Sequence, residues 1–143
     1  MDEMKNCIID IALEEYGVKE IVGKNHNDRV LKYFKETGHS WVNDDETAWC
    51  SAFMNWVAMS AGAKTSGKLN ARSWLTVGEQ TENPEKGDVA VFWRGSKDSW
   101  KGHVAIFIRQ TKSFVYVLGG NQGNKVCIQA YRKDRLLQYR DIS

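Results

Sequence analysis

The chain has 143 residues, enough for one domain with a core of its own and too few for two ordinary ones. Its formal charge is only +2, from 20 basic and 18 acidic residues, and the charges are interspersed, which excludes the basic stripe of a nucleic-acid binder. An apolar fraction of 42 % with a single proline excludes long linkers and disorder, and nothing in it reaches the length of a membrane-spanning helix.

The start, "MDEMKNCIIDIALEEYG", has acids where a secretory leader needs bases. The expectation is a chain made in soluble, cytoplasmic form that needs outside help to leave. From Met4 to Tyr16 the residues Met4, Ile8, Ile11 and Ala12 recur at helical spacing, and Gly17 follows as a stop. Cys7 flanks that stripe and reads as a small buried hydrophobe.

A second helix is predicted from Asp28 to Thr37, capped by Asn25 or Asn27, with Val30, Leu31 and Phe34 inward and Gly38 ending it. His26 and His39 fall in its polar end segments and read as solvated. A third runs from about Thr47 to Gly62 and is apolar on nearly every side, the pattern of a buried helix. Asn70 can cap a short helix through Trp74 to Val77, closed by Gly78.

After "NPEKGD" the period changes from about 3.6 to 2, and short strands are predicted at Asp88 to Trp93, His103 to Arg109, Phe114 to Leu118, Lys125 to Tyr131 and Leu136 to Arg140. Links this short imply antiparallel neighbours. Helices first and a meandering sheet afterwards give an α+β layout, with the helices on one face of a five- to six-stranded antiparallel sheet and residues 1–143 forming one domain.

The three cysteines, Cys7, Cys50 and Cys127, are odd in number and form no CxxC pair. That disfavours a disulfide framework, a structural zinc and a thioredoxin-type site. Six tryptophans, Trp41, Trp49, Trp56, Trp74, Trp93 and Trp100, supply both core and material for a groove.

Cys50 falls in the first turn of the buried helix, His103 opens a strand in "KGHVAIFI", and Asn121 follows the next strand in "VYVLGGNQ". Taken singly, each has a plain structural reading as packing, a satisfied histidine or a turn former. Together they supply what thiol catalysis requires. A helix N-terminus favours a thiolate and offers free N–H groups to an oxyanion, an imidazole can take and return the proton, and an amide can hold the imidazole by its other nitrogen.

The segments "WCSAFMNWV", "GDVAVFWR", "GHVAIFI" and "VLGGNQ", in this order, resemble the CHAP group of cysteine, histidine-dependent amidohydrolases and peptidases, within the papain-like superfamily that also holds the NlpC-type enzymes. The resemblance implies a papain-like fold with Cys50 as nucleophile, His103 as base and Asn121 as the orienting third member, with Gln122 as understudy. Where many of its members carry a glutamate this chain has Gly119. Asp88, at the start of a strand, reads as structural.

Trp49, Ser51, Trp93 and Gln122 flank the catalytic positions and are the substrate-groove candidates, each with a structural alternative. Asn43, Asp44, Asp45 and Glu46 precede the cysteine where some relatives bind calcium; lacking EF-hand-like ligand spacing, they read as helix capping, and no metal or cofactor is expected.

The activity implied is hydrolysis of an amide bond in bacterial peptidoglycan, as an N-acetylmuramoyl-L-alanine amidase or a stem-peptide endopeptidase. The setting implied is a phage lysin released by a holin or an exported cell-wall effector acting in the periplasm or wall. The partner implied is peptidoglycan, without nucleic acid or membrane, for a monomer that an inhibitor or immunity protein could guard against. Two other readings stay open: a cytosolic papain-like peptidase, deamidase or acyl transferase, and a catalytically silent binding module.

Overall fold

The structure is a computed structural model that describes residues 3–20, 27–40 and 49–143. Three helices precede six strands: α1 Glu3–Glu14, α2 Asp28–Glu36, α3 Cys50–Ala61, then β1 Glu79–Thr81, β2 Val89–Trp93, β3 Gly102–Gln110, β4 Phe114–Gln122, β5 Lys125–Arg132 and β6 Leu136–Asp141. A 3₁₀ turn, Ala71–Thr76, stands where a short helix is expected. Among the described residues no helix is long and apolar enough to cross a membrane.

The sheet order is β1-β6-β2-β3-β4-β5, and every neighbouring pair is antiparallel. Strands β2 to β5 form the expected meander. The last strand does not continue it; β6 crosses back to pair with the free edge of β2 and then carries β1 on its outer side. The outer edge of β5 is covered by the chain leaving α1, through Gly17 N–H to the Val126 carbonyl and Val126 N–H to the Val18 carbonyl, at 2.9 and 2.7 Å, so no long bare strand edge is left there.

Period-2 alternation divides β2 and β3 between two faces. Val89, Val91, Val104 and Ile106 meet the helices in the main core, while Ala90, Phe92, Ala105 and Phe107 join Val115, Val117 and Tyr139 in a smaller cluster on the other face. Helix α3 lies against β3 and β4 and is buried along its first nine residues, Cys50 to Ala58. It ends at Gly62, which takes φ +80° and donates to the Ala58 and Met59 carbonyls.

Polar side chains on α3 fix what lies outside it. The Asn55 carbonyl oxygen accepts from the Ser66 and Gly67 N–H groups, and the Ser51 hydroxyl donates to the Lys68 carbonyl at 2.6 Å while accepting from the Trp74 indole at 3.0 Å. Helix α2 joins by its buried Tyr33, packed on Trp49, Phe53 and Trp56. The Tyr33 hydroxyl donates to buried Glu15, which also pairs with Arg29.

Three expectations are revised here. Cys7 is exposed, because the inward stripe of α1 runs through Lys5, Ile8 and Ala12 and leaves it on the outer side. Lys5 is the unforeseen member of that stripe: its ammonium lies 2.8, 3.0 and 3.2 Å from carboxylate oxygens of Glu85, Asp88 and Asp141. Asp88 therefore has the structural part the sequence assigns it. Third, His39, expected in solvent, is only partly exposed and sits 3.1 Å from the Gly67 carbonyl.

The second helix is capped by Asn27, whose side chain accepts from the Arg29 N–H at 2.8 Å. Asn25, His26, Trp41 and the Asn43 to Glu46 cluster, with the expected first turn from Thr47, lie outside the described residues.

Candidate active site

Cys50 is the first residue of α3, and the Trp49 side chain, at the cap position, makes no capping hydrogen bond. The first N–H groups of a helix lack carbonyl partners within it, so the sulfur sits among unspent donors at the positive end of the helix dipole. The side chain is only 6 % exposed; it does not stand open to solvent, as an exposed helix end would.

Burial on its own pushes the Cys50 thiol up, but the charge and hydrogen bond of His103, with the Val104 and Ser51 backbone N–H groups, outweigh it and hold the thiol below its ordinary range. The thiolate is the nucleophilic form.

His103 is the second residue of β3 and is 5 % exposed. Its Nε2 lies 2.9 Å from Gln122 Oε1. The glutamine nitrogen is committed elsewhere, donating to the Cys127 carbonyl at 2.7 Å and the Val117 carbonyl at 3.3 Å. Turning the amide over would set its oxygen against two carbonyl oxygens, so the oxygen faces the ring. An amide oxygen only accepts; Nε2 therefore carries the hydrogen, and Nδ1 is left with its lone pair for the thiol proton.

This corrects the third member of the constellation. The expected residue, Asn121, has no hydrogen bond with His103; it lines the cleft instead. The reason is a bulge. Between Gly119, paired with Cys127, and Gln122, paired with Lys125, β4 holds one residue more than β5, and Asn121 absorbs it at φ +57°. The inserted residue shifts the parity of the strand and delivers Gln122 to the histidine.

The two glycines before the bulge make room for this. A Cβ on Gly119 would stand 2.6 Å from the Ala105 Cβ and 3.0 Å from Gln122 Oε1. One on Gly120 would stand 2.7 Å from both the Phe53 Cβ and the Trp49 ring. The absence of side chains lets Gln122 lie under the imidazole and lets the first turn of α3 rest on β4, so both partners of the histidine are set by one dipeptide.

The groove candidates divide. Trp49 is fully buried, its indole donating to Glu20 at 3.0 Å, so it is an anchor of α3 and not a groove wall. Ser51 is likewise fully buried and spent on Lys68 and Trp74. Gln122 is 1 % exposed and holds the histidine. Trp93 alone of the four reaches the surface of the site, where it lines a cleft of about 280 Å³ with Phe92, Arg94, His103, Asn121 and Tyr131.

Tyr131 had no signal in the sequence beyond its place in a strand. Its ring stacks on His103 with centroids 5.0 Å apart and also on Phe92 at 5.0 Å. Burial first, then the electrostatic influence of the neighbouring Cys50 and Cys127, push its phenol well above the ordinary range, against the lowering effect of Arg94. A larger hollow of about 720 Å³, bounded by residues such as Lys64, Lys68 and Ser73, holds none of these groups. Among the described residues no cluster of histidine, cysteine and acidic side chains could hold a metal ion.

The chain is similar along its whole length to a crystal structure from Staphylococcus aureus subsp. aureus Mu50, described as similar to lipoprotein, NLP/P60 family, with a TM-score of 0.59 at 20 % identity. At that identity the likeness is one of fold, which is papain-like. The chain spans 43 % of that protein's length. A comparison with curated proteins gives no match. The CHAP domain family matches residues 42–121, a stretch that holds Cys50, His103 and the glycine pair; the chain belongs to the CHAP domain family.

Proposed function

We propose that the protein is a cysteine hydrolase that cleaves an amide bond of bacterial peptidoglycan, with Cys50 as nucleophile, His103 as general base and acid, and Gln122 as the residue that orients the imidazole. The observation that carries the reading is the His103–Gln122 hydrogen bond, in which a neutral glutamine fixes the imidazole tautomer, beside a Cys50 thiol that the charge and hydrogen bond of the same histidine hold below its ordinary range. Membership of the CHAP family, a group of the peptidoglycan-hydrolase type, and the NLP/P60 fold support the class of substrate.

His103 Nδ1 takes the Cys50 proton, and the thiolate attacks the amide carbonyl carbon. Negative charge on the carbonyl oxygen is met by the Cys50 N–H, which as the first of α3 has no carbonyl partner within the helix. When the tetrahedral species collapses, the C–N bond breaks and the imidazolium returns the proton to the leaving amine. Water, deprotonated by the same imidazole, then releases the acyl group from its thioester.

The test is incubation of purified peptidoglycan with the protein and with Cys50→Ala, followed by mass analysis of the fragments. New free L-alanine N-termini on intact stems identify an amidase, whereas shortened stems or opened crosslinks identify an endopeptidase. If the wild type releases nothing beyond the Cys50→Ala control, the wall reading is lost.

A further inference from the structure

The rim of the cleft that exposes His103 carries two cations, Arg94 just past β2 and Arg135 just before β6, and no acid among the described residues. Most other arginines of the described chain are engaged. Arg29 pairs with Glu15 and Arg132 with Asp134. Arg72 donates to three carbonyls of the β2–β3 loop, Arg140 to the carbonyls of Val77 and Gly78, and Arg109 lies over the Tyr116 ring.

Arg94 and Arg135 differ. Neither side chain has a hydrogen bond or ion pair among the described residues, and Arg135 is held only by lying over the Trp93 ring, 5.1 Å from its centre. A guanidinium fixed by its face keeps its N–H edge available. The nearest acid in sequence, Asp134, is taken by Arg132 at 2.6 Å. Arg94 lines the cleft together with Tyr131 and His103. The neutral amides of Asn121 and Asn124 complete the lining. Two guanidinium groups beside a catalytic histidine, with no anion among the described residues paired with them, are matched by a planar bidentate anion on the substrate.

We propose that Arg94 and Arg135 make this cleft selective for a substrate that bears a free carboxylate close to the scissile amide, so that carboxyl-bearing stem peptides are taken and their carboxamide forms are refused. The proposal rests on the peptidoglycan reading for its substrate class.

The probes are synthetic N-acetylmuramoyl-L-alanyl-γ-D-glutamyl-L-lysyl-D-alanine with both carboxyls free, and the same compound with both as carboxamides. Binding is measured on the Cys50→Ala chain, so that it is scored whether or not either compound is cut. The acid form is expected to bind about tenfold tighter or more, the scale of charge-assisted hydrogen bonds, and to lose that margin in added salt. In Cys50→Ala carrying Arg94→Gln and Arg135→Gln the preference should fall below about twofold by the same scale, and Arg135→Glu alone should reduce it in the same direction. Equal binding of the two forms, binding of neither, or a preference that survives in the folded double variant overturns the proposal. Failure of the wild type to cut either compound or whole peptidoglycan counts against the hydrolase reading and leaves the binding comparison standing.

Discussion

His103 donates from Nε2 to Gln122 Oε1 at 2.9 Å, and Gln122 in turn is tethered by its nitrogen to the carbonyls of Val117 and Cys127. The glutamine thus has one orientation to offer, and the imidazole inherits it. Replacement of Gln122 by alanine should lower kcat on the order of 10²-fold, since it removes the tautomer and aim of the base, with little change in KM. Asn121→Ala should leave kcat within about threefold, a difference worth less than 1 kcal/mol. Steady-state kinetics of the two variants decide between the adjacent residues; the reverse order would return the orienting role to Asn121.

The thiol of Cys50 is held below its ordinary range chiefly by His103, against burial. Alkylation by iodoacetamide requires thiolate, so the rate at Cys50 should rise with pH and reach its plateau below the ordinary thiol midpoint of about 8.5. Removing the base leaves burial dominant. In His103→Ala the midpoint should therefore move up, as followed by peptide mass analysis with exposed Cys7 as internal reference. Coincident midpoints for Cys50 and Cys7 in the wild type would remove the electrostatic argument.

Tyr131 stacks on the imidazole face, at 5.0 Å, and its phenol is pushed above the ordinary range by burial and by the neighbouring sulfurs. It should stay protonated throughout the working pH range, so its ring matters and its ionisation does not. Tyr131→Phe should keep kcat within about twofold, and Tyr131→Ala should lower it roughly tenfold, about 1.4 kcal/mol and within the range of a lost ring contact. The pH–rate profile distinguishes this role from a general acid: loss of the alkaline limb in Tyr131→Phe would mean that the hydroxyl transfers a proton.

Gly119 is where a Cβ would collide with Ala105 and crowd Gln122 Oε1. Gly119→Ala should cost about 1–3 kcal/mol of stability, as overpacking of a tight contact does. It should also depress kcat in the manner of the Gln122 variants, because the displaced atom is the acceptor for His103. Chemical denaturation and kinetics on the same preparation test both parts, and a variant of unchanged stability and turnover would show that the approach is looser than the geometry states.

Lys5 is held almost out of solvent by three carboxylates, one of them on Asp88, which is itself 1 % exposed. Burial disfavours its charge, but hydrogen bonds to Glu85, Asp88 and Asp141 prevail and raise its pKa above the ordinary lysine range. A raised folded-state pKa stabilises the fold at every pH below the unfolded lysine value, with the contribution lost only in strong alkali. Lys5→Met should cost about 3–5 kcal/mol at neutral pH by stranding Asp88, and Asp88→Asn on that background should recover part of it, as read from denaturation midpoints.

Local pattern alone located nearly every element. Helical spacing marked α1 to α3, and the change to alternation after "NPEKGD" marked β2 to β6, because amphipathic periods are written in consecutive residues. It also singled out Cys50 and His103, since a cysteine opening a helix and a histidine opening a strand are sequence-local facts. The three-residue β1 carries no period of its own and was not legible.

What the tertiary structure decided was every relation that depends on register or on approach across the fold. A one-residue bulge set Gln122 and not Asn121 under the imidazole, and burial turned Trp49 and Ser51 from groove candidates into anchors of α3. The crossing of β6 onto β2 placed Arg135 opposite Arg94, and the turn of β5 laid Tyr131 on the histidine. A strand slipped by one residue presents its other face, and the sequence around "VLGGNQ" is equally compatible with either; only the packing of α3 on Gly120 and of Ala105 on Gly119 chooses between them.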